Sequence, residues 1–231
     1  MISNILFDLD GTLTDPKDVI TRCIKFALDQ LGATSPGVDQ LDWCIGPPLR
    51  GSFSRLLNTK NDTLLDQALF NYRKRFSESG MFENVIYPGV FPSLRRIKAA
   101  GIRVFLATSK PKVFAKQILN HFNLTPFFDG VYGSELNGHL SDKGELVAHI
   151  IDNENLDTKV TLIVGDRSYD IIGGKKNGIM TVAVSYGYGT WEELTSSKPD
   201  FIFDTISDLA AFTLTLQKSE GFRAKASRVK S

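Results

Sequence analysis

The sequence predicts an α/β protein, a parallel sheet sandwiched between helices and interrupted by an all-helical insert. Three observations carry this. Strand-length runs such as "VTLIVG" (160–165) and "IMTVAV" (179–184) are apolar almost throughout, as in sheets covered on both faces. From residue 88 onward such runs alternate with segments of helical period. Between residues 15 and 82 no convincing strand pattern occurs.

Taken in order, residues 4–7 (Asn-Ile-Leu-Phe) read as a buried opening strand. Residues 19–31 follow as an amphipathic helix, because Val19, Ile20, Cys23, Ile24, Ala27, Leu28 and Leu31 recur at helical spacing, and Gly32 stops it. Further helices are predicted over 49–57 and 64–76. Residues 90–100 are helical and end at Gly101; 102–107 form an apolar strand; 113–122 are helical; 130–134 form a short strand. A helix over 145–154, a strand over 160–164, a short helix over 169–177 closed by Gly178, and strands over 179–184 and 201–203 come next. The last predicted helix covers 206–216. Alternating strands and helices require crossover connections and parallel pairing. The expected architecture is therefore a three-layer, Rossmann-like parallel sheet built from residues 1–15 and 84–217, a helical domain over 16–83, and a basic, flexible tail over 218–231.

The chain has 231 residues, enough for one large domain or two modest ones with a real core. Its net charge of +1 creates no global field to recruit nucleic acid or an anionic membrane, so neither is an expected partner. The last 14 residues hold five basic side chains against Glu220. A solvated terminus is the expected reading there, and a nucleic-acid or membrane arm the alternative. Cys23 and Cys44 lack a CxxC spacing and cannot staple a chain of this size, which points to a reduced, cytoplasmic setting. The opening "MISNILFDLDG" has neither a basic n-region nor a long apolar h-region, so no signal peptide is expected.

In a parallel sheet, ligands bind beyond the carboxyl ends of the strands, so the residues that follow each strand should form one chemical site. The first strand is followed by Asp8, Leu9, Asp10, Gly11 and Thr12. The 102–107 strand is followed by Thr108, Ser109 and Lys110, and the 160–164 strand by Gly165 and Asp166, with Asp170 four residues on. Lys143 opens a helix in "SDKGEL". Carboxylates are rarely buried unless they are paired, metal-bound or working. Clustered aspartates repel one another unless a cation sits among them, and an all-oxygen set suits a hard ion such as Mg²⁺. Hydroxyls and a lysine suit phosphoryl oxygens. Gly11 lets backbone N–H groups approach an anion. The two-residue period of a strand puts Asp8 and Asp10 on one side, with Leu9 turned away. Metal, phosphate and an exposed carboxylate together suggest phosphoryl transfer through an aspartyl-phosphate.

"FDLDGTLTD" resembles the first motif of the haloacid dehalogenase superfamily, DxDGTLxD. Thr108 stands where that family has a Ser or Thr at a strand end, Lys143 matches its lysine, and "VGDRSYD" resembles its GDxxxD. The four come in the family's order. The helical insert resembles the cap of the phosphoglycolate phosphatase-like branch, and "GPPLRGSF" its cap loop. The resemblance implies that Asp8 is the nucleophile and that Asp10 protonates the leaving oxygen, then deprotonates the attacking water. It implies Mg²⁺ held by Asp8, the Asp10 main-chain carbonyl and Asp166, with Asp170 as a ligand or as partner to a metal-bound water. Gly11, Thr108, Ser109 and Lys143 would bind the transferring phosphoryl group. Ser109 stands where many relatives have Asn, and Gly144 follows Lys143 where many have Pro; neither departure removes an essential charge.

In the insert, Arg50 and Arg55 could read a distal anion of the substrate or lie exposed on a helix. Trp43 and Phe53 could pack in the core or cover a nucleobase. The "SYGYG" loop (185–189) could border the pocket, and Asp15 could shape a turn or orient the site. His121, His139 and His149 have no metal-binding spacing and are expected to be non-catalytic. The expected function is a Mg²⁺-dependent phosphatase for small-metabolite phosphate monoesters, of the 2-phosphoglycolate or nucleoside 5′-monophosphate type, with the insert closing over the substrate. The alternatives are a sugar phosphomutase of the same fold, a dehalogenase (which Asp10 argues against) and a non-catalytic phosphate-binding protein.

Overall fold

A computed structural model describes the backbone of residues 1–78 and 80–228, with side chains as far as residue 217. The chain opens with β1 (Asn4–Phe7) and the two-residue β2 (Thr14–Asp15). The insert follows as α1 (Lys17–Gln30), α2 (Leu49–Leu56) and α3 (Asp62–Glu78), with short 3-10 turns between α1 and α2. β3 (Val85–Ile86) returns antiparallel to β2, so the chain leaves for the insert and comes back at one place. The rest alternates: α4 (Val90–Ala99), β4 (Arg103–Pro111), α5 (Lys112–His121), β5 (Gly130–Ser134), α6 (Lys143–Glu154), β6 (Thr161–Gly165), α7 (Ser168–Lys176), β7 (Met180–Val184), α8 (Trp191–Ser197), β8 (Phe201–Phe203) and α9 (Ile206–Arg228).

The main sheet has the order β5-β4-β1-β6-β7-β8, and every pair in it is parallel. Phe7 lies opposite both Leu106 and Val164, so the residues that follow these three in β1, β4 and β6 come at one level. The strand order reverses between β1 and β6, the place where open sheets of this kind bind ligands.

Alternation along each strand builds the two outer layers. Ile5, Phe7, Val104, Leu106, Leu162 and Val164 face α4, α5 and α9. Leu6, Phe105, Ala107 and Ile163 face Leu146, Val147 and Ile150 of α6. The first cluster runs on without a break through Leu9 and Leu13 into Phe53, Tyr72 and Phe76 of the insert. Truncating one of these side chains to Ala would cost roughly 2–5 kcal/mol, so the same apolar contacts that hold the sheet also seat the insert beside it.

Besides the two-residue β2 and β3, which were not anticipated, three elements differ from expectation. β4 does not end at residue 107 but runs on to Pro111 through an irregularity in register after Thr108, so Thr108 and Ser109 lie within the strand. α8 was not anticipated. Its signal is the Thr-x-x-Glu pattern at 190–193, where Thr190 Oγ1 accepts the Glu193 N–H at 3.1 Å. α9 does not end near residue 216 with an irregular tail; its backbone stays helical to Arg228. Beyond residue 217 the Lys, Glu, Ala and Arg residues are good helix formers and no proline intervenes, so propagation continues. Residues 229–231 of the expected tail lie outside the described residues. Cys23 and Cys44 are buried and unbridged. Among the described residues no helix is long and apolar enough to cross a membrane.

Candidate active site

Just past β1 the chain turns tightly, with the Leu9 carbonyl accepting from the N–H groups of Leu13 (2.8 Å) and Thr14 (3.0 Å). Gly11 makes this turn at φ +83°, and a Cβ there would overlap the Asp166 carboxylate. Glycine thus lets β1's loop close onto β6's loop. Asp166 is fully buried and fixed by the Tyr188 N–H (2.7 Å) and the Thr12 hydroxyl (3.3 Å). Asp170 lies in the first turn of α7, where its Oδ2 accepts the Arg167 N–H at 3.3 Å. Asp142 caps α6 by accepting the Glu145 N–H at 3.0 Å, which sets Lys143 at the helix's first position.

These elements deliver one site. Lys143 Nζ lies 3.0 Å from Asp8 Oδ1 and 2.8 Å from Asp170 Oδ1, and donates to the Ala107 carbonyl at 2.8 Å. One oxygen from each of Asp8, Asp166 and Asp170 lies within 4.8 Å of the others. Burial pushes Asp166 well above the usual carboxylate range, and Asp8 and Asp170 add to this. Burial also raises Asp170, to about 6, against the pull of Lys143. For Lys143, burial alone would lower the ammonium, but Asp170 and Asp8 outweigh it and hold it above its ordinary value.

This set fits a hard divalent cation. Its donors are all oxygens. The Oδ1 atoms of Asp8 and Asp170 are buried within ion-pair range of Lys143 yet lack a well-aligned hydrogen bond. Three buried carboxylates against one lysine leave an excess of negative charge, which a dication offsets.

A cleft of about 890 Å³ opens above Asp8 and Asp10. Thr108, Ser109 and Lys110 form its rim on the sheet side, and Tyr72, Phe76 and Phe114 an aromatic wall. The segment 46–49 and the α3 residues Arg73 and Lys74 close it from the insert.

The sequence profile described as "Haloacid dehalogenase-like hydrolase" matches residues 5–184, which takes in every one of these strand-end residues. This chain belongs to the haloacid dehalogenase-like hydrolase family. A 5′-nucleotidase of Pseudomonas aeruginosa is 40% identical to it over 93% of this chain and 95% of the relative. Tyrosine-protein kinase PtkA of Mycobacterium tuberculosis is 31% identical over 93% of this chain and 70% of the relative. A phosphoglycolate phosphatase of Aliivibrio fischeri is 29% identical over 91% and 96%. The crystal structure of a predicted phosphatase from Clostridium acetobutylicum superposes with a TM-score of 0.89 at 37% identity, covering 93% of this chain and 99% of that one. The relatives named as a 5′-nucleotidase and as phosphatases place the chain among the family's phosphatases.

The hydrolase gathers Asp8, Asp10, Thr108, Lys143, Asp166 and Asp170 at one rim, each at most 7% exposed. Other expected residues sit differently. The Gly11 N–H is taken by the Thr14 carbonyl at 2.8 Å, so Gly11 supplies room for Asp166 rather than an open donor for phosphate. The Ser109 hydroxyl donates to the Ser141 carbonyl at 3.3 Å, which turns it toward the loop after β5. Arg50 lines the cleft, but its guanidinium is committed to Asp62 (2.6 Å) and Asp66 (2.5 Å). Arg55 stacks over the Trp43 ring at 4.3 Å and is not among the cleft-lining residues. Asp15 accepts the Lys17 N–H at the start of α1 and the Tyr188 hydroxyl from the 185–189 loop.

Sequence reasoning gave no role to Lys110, whose Nζ lies 2.9 Å from Asp10 Oδ2. Its signal was its place: it follows Thr108 and Ser109 directly at the same strand end, and like Thr108 it lines the cleft. Arg73 was also passed over. It is half-buried in the cleft wall, and among the described residues it makes no ion pair.

Proposed function

We propose that this hydrolase is a Mg²⁺-dependent phosphatase for small phosphate monoesters, working through an aspartyl-phosphate on Asp8. The observation that carries this is the setting of Asp8: a buried carboxylate lining the cleft, 3.0 Å from the Lys143 ammonium and with an oxygen within 4.8 Å of oxygens of Asp166 and Asp170. An Asp8 oxygen attacks phosphorus, forming an O–P bond as the ester O–P bond breaks. Asp10 protonates the departing alkoxide, then takes a proton from the water that cleaves the acyl-phosphate. Lys143 restrains Asp8 and meets the phosphoryl oxygens together with Thr108. A Mg²⁺ ion held by Asp8, Asp166 and Asp170 would supply the positive charge that lets a carboxylate approach a phosphate dianion.

The size of the cleft favours a nucleoside 5′-monophosphate over 2-phosphoglycolate, because pockets of this volume suit drug-sized ligands rather than two-carbon acids. Tyr72, Phe76 and Phe114 offer faces for a base, and the relative named 5′-nucleotidase agrees with this reading. In this reading Arg73, rather than Arg50 or Arg55, meets acceptor atoms on the leaving group. A cytoplasmic setting accords with the two unbridged cysteines. The test is phosphate release across a metabolite panel, with and without EDTA. The reading predicts metal-dependent release, highest for nucleoside 5′-monophosphates. Metal-independent release, or none from any ester, would overturn it.

A further inference from the structure

We propose that Arg167 is a positioning residue that pins the 45–49 segment of the insert as a wall of the substrate cleft, from the same loop that carries Asp166. The sequence offers Arg167 only as a variable place inside "GDRSYD". In the fold its side chain is 10% exposed and doubly anchored. Nε donates to both oxygens of Glu193, at 3.0 and 3.3 Å. Glu193 also accepts from the Ser168 N–H and hydroxyl, both at 2.9 Å. Burial would raise the Glu193 carboxyl, but Arg167 and the Ser168 N–H hold it below the ordinary value, so the pair stays ionised.

With Nε held in this way, Nη1 reaches out of the sheet layer and donates to the Ile45 carbonyl in the insert. The next residue, Gly46, has φ +99°, and a Cβ there would meet Arg167 Cγ at 2.8 Å. The arginine stem therefore packs flat against the insert's backbone. Gly46, Pro47, Pro48 and Leu49 line the cleft, and the two prolines fix their own φ angles, so the segment moves with Ile45 as a stiff unit. A guanidinium suits this task because its planar fork serves Glu193 with one N–H and Ile45 with another; an ammonium is a single point and cannot span both. Loss of the contact should let the wall drift from the ester's leaving group while leaving Asp8, Lys143 and the carboxylate cluster in place.

The kinetic arm of the test rests on the phosphatase reading; the exchange arm does not. Full-chain Arg167→Gln, Arg167→Lys and Glu193→Gln proteins would be compared with wild type by amide hydrogen exchange, by steady-state kinetics on a nucleoside 5′-monophosphate, and by Tm. Both Arg167 variants should exchange about tenfold faster over residues 42–50 and show KM raised about tenfold with kcat within about threefold, lysine giving no rescue. Glu193→Gln, which keeps the volume of the anchor, should move both readings the same way by less, and stands in should an Arg167 variant fail to fold. Unchanged exchange over 42–50 in a folded variant would overturn the proposal, as would a fall in kcat with KM unchanged. A wild-type protein with no phosphatase activity would sink the proposed function while leaving the exchange comparison to judge Arg167.

Discussion

Lys110 holds the carboxylate of Asp10, Nζ to Oδ2 at 2.9 Å, with both side chains at least nine-tenths buried. The same ammonium sits 4.5 Å from the centre of the Phe76 ring, so the insert's aromatic wall helps to place it. Burial pushes Asp10 above the ordinary carboxylate range, and Lys110 is the chief opposing influence. The proposed acid is thus tuned from the strand that also carries Thr108.

Removing that opposition gives a signed pH effect. In Lys110→Met the Asp10 carboxyl should rise further and stay protonated to higher pH. The alkaline limb of kcat/KM should then move upward by about one unit or more, the size expected for loss of an adjacent opposite charge. A pH–rate profile reads this directly. An unmoved limb would mean that Lys110 does not tune the acid.

Asp8→Asn removes the attacking charge while keeping the side-chain shape. Lys143 retains Asp170 at 2.8 Å and the Ala107 carbonyl, so the fold should persist with a near-native Tm. Turnover should fall on the order of 10⁶-fold, as when a nucleophile is removed from a cooperating set. Acid-quenched protein should no longer carry bound phosphate. Asp10→Asn should cost about 10²- to 10⁴-fold, the usual contribution of a general acid–base.

The gathering of these residues was legible in the sequence because parallel strands deliver their following residues to one edge. Asp8, Thr108 and Asp166 could be gathered from strand-end positions before any coordinates, whereas Lys143, at the start of a helix, came from the family resemblance. What escaped was set by side-chain reach across elements. Nothing local to Arg50 reveals that Asp62 and Asp66, 12 and 16 residues away, take up its guanidinium. Nor does the sequence around Gly11 show that Asp166, just past a strand far later in the chain, needs the space of its missing Cβ. Helix ends were limited in another way. α9 runs on past Leu216, where no large apolar side chain recurs before Phe222, and apolar periodicity is blind to such a stretch.

Metal binding should be visible in stability. Without a dication, Asp170 is raised to about 6 from 3.8, so the folded state holds its proton more tightly than the unfolded state does. The metal-free protein should therefore lose stability as pH rises from about 4 through about 6. Mg²⁺ at 100 times its dissociation constant adds about 2.7 kcal/mol, or roughly 5–10 °C in Tm for a chain of this length. The Mg²⁺ increment should be largest above pH 6 and shrink below pH 5, where protons compete for the carboxylates. Melting curves with Mg²⁺ and with EDTA across pH 4–8 check this; an increment independent of pH would exclude the carboxylate cluster as the binding place.

Gly11 and Gly32 form a matched pair. Both have positive φ, +83° and +66°, so alanine at either position pays roughly 1–2 kcal/mol of backbone strain. A Cβ at Gly32 meets nothing within 4 Å, whereas at Gly11 it would strike the Asp166 carboxylate. Gly32→Ala should lower Tm by a few degrees with wild-type turnover. Gly11→Ala should lower it further, weaken the Mg²⁺-induced rise in Tm and abolish activity. Equal behaviour of the two variants would show that the close approach to Asp166 is unimportant.

The cleft's arginines separate on charge balance. Arg50 is neutralised by two exposed carboxylates, and exposed pairs of this kind are worth at most about 1 kcal/mol. Arg50→Gln should therefore shift stability slightly and leave KM within about twofold. Arg73 has no such ion pair among the described residues, and burial holds its guanidinium below the usual value, against Asp66 and Tyr72. A half-buried cation that lost solvent without gaining a protein partner gains most from acceptors on a bound ligand. Arg73→Gln should raise KM for a nucleoside 5′-monophosphate about three- to tenfold while leaving p-nitrophenyl phosphate, whose leaving group is short, near wild type. Steady-state kinetics on the two esters decide the matter. Equal effects on both would place Arg73 at the phosphoryl group, and no effect on either would remove it from substrate recognition.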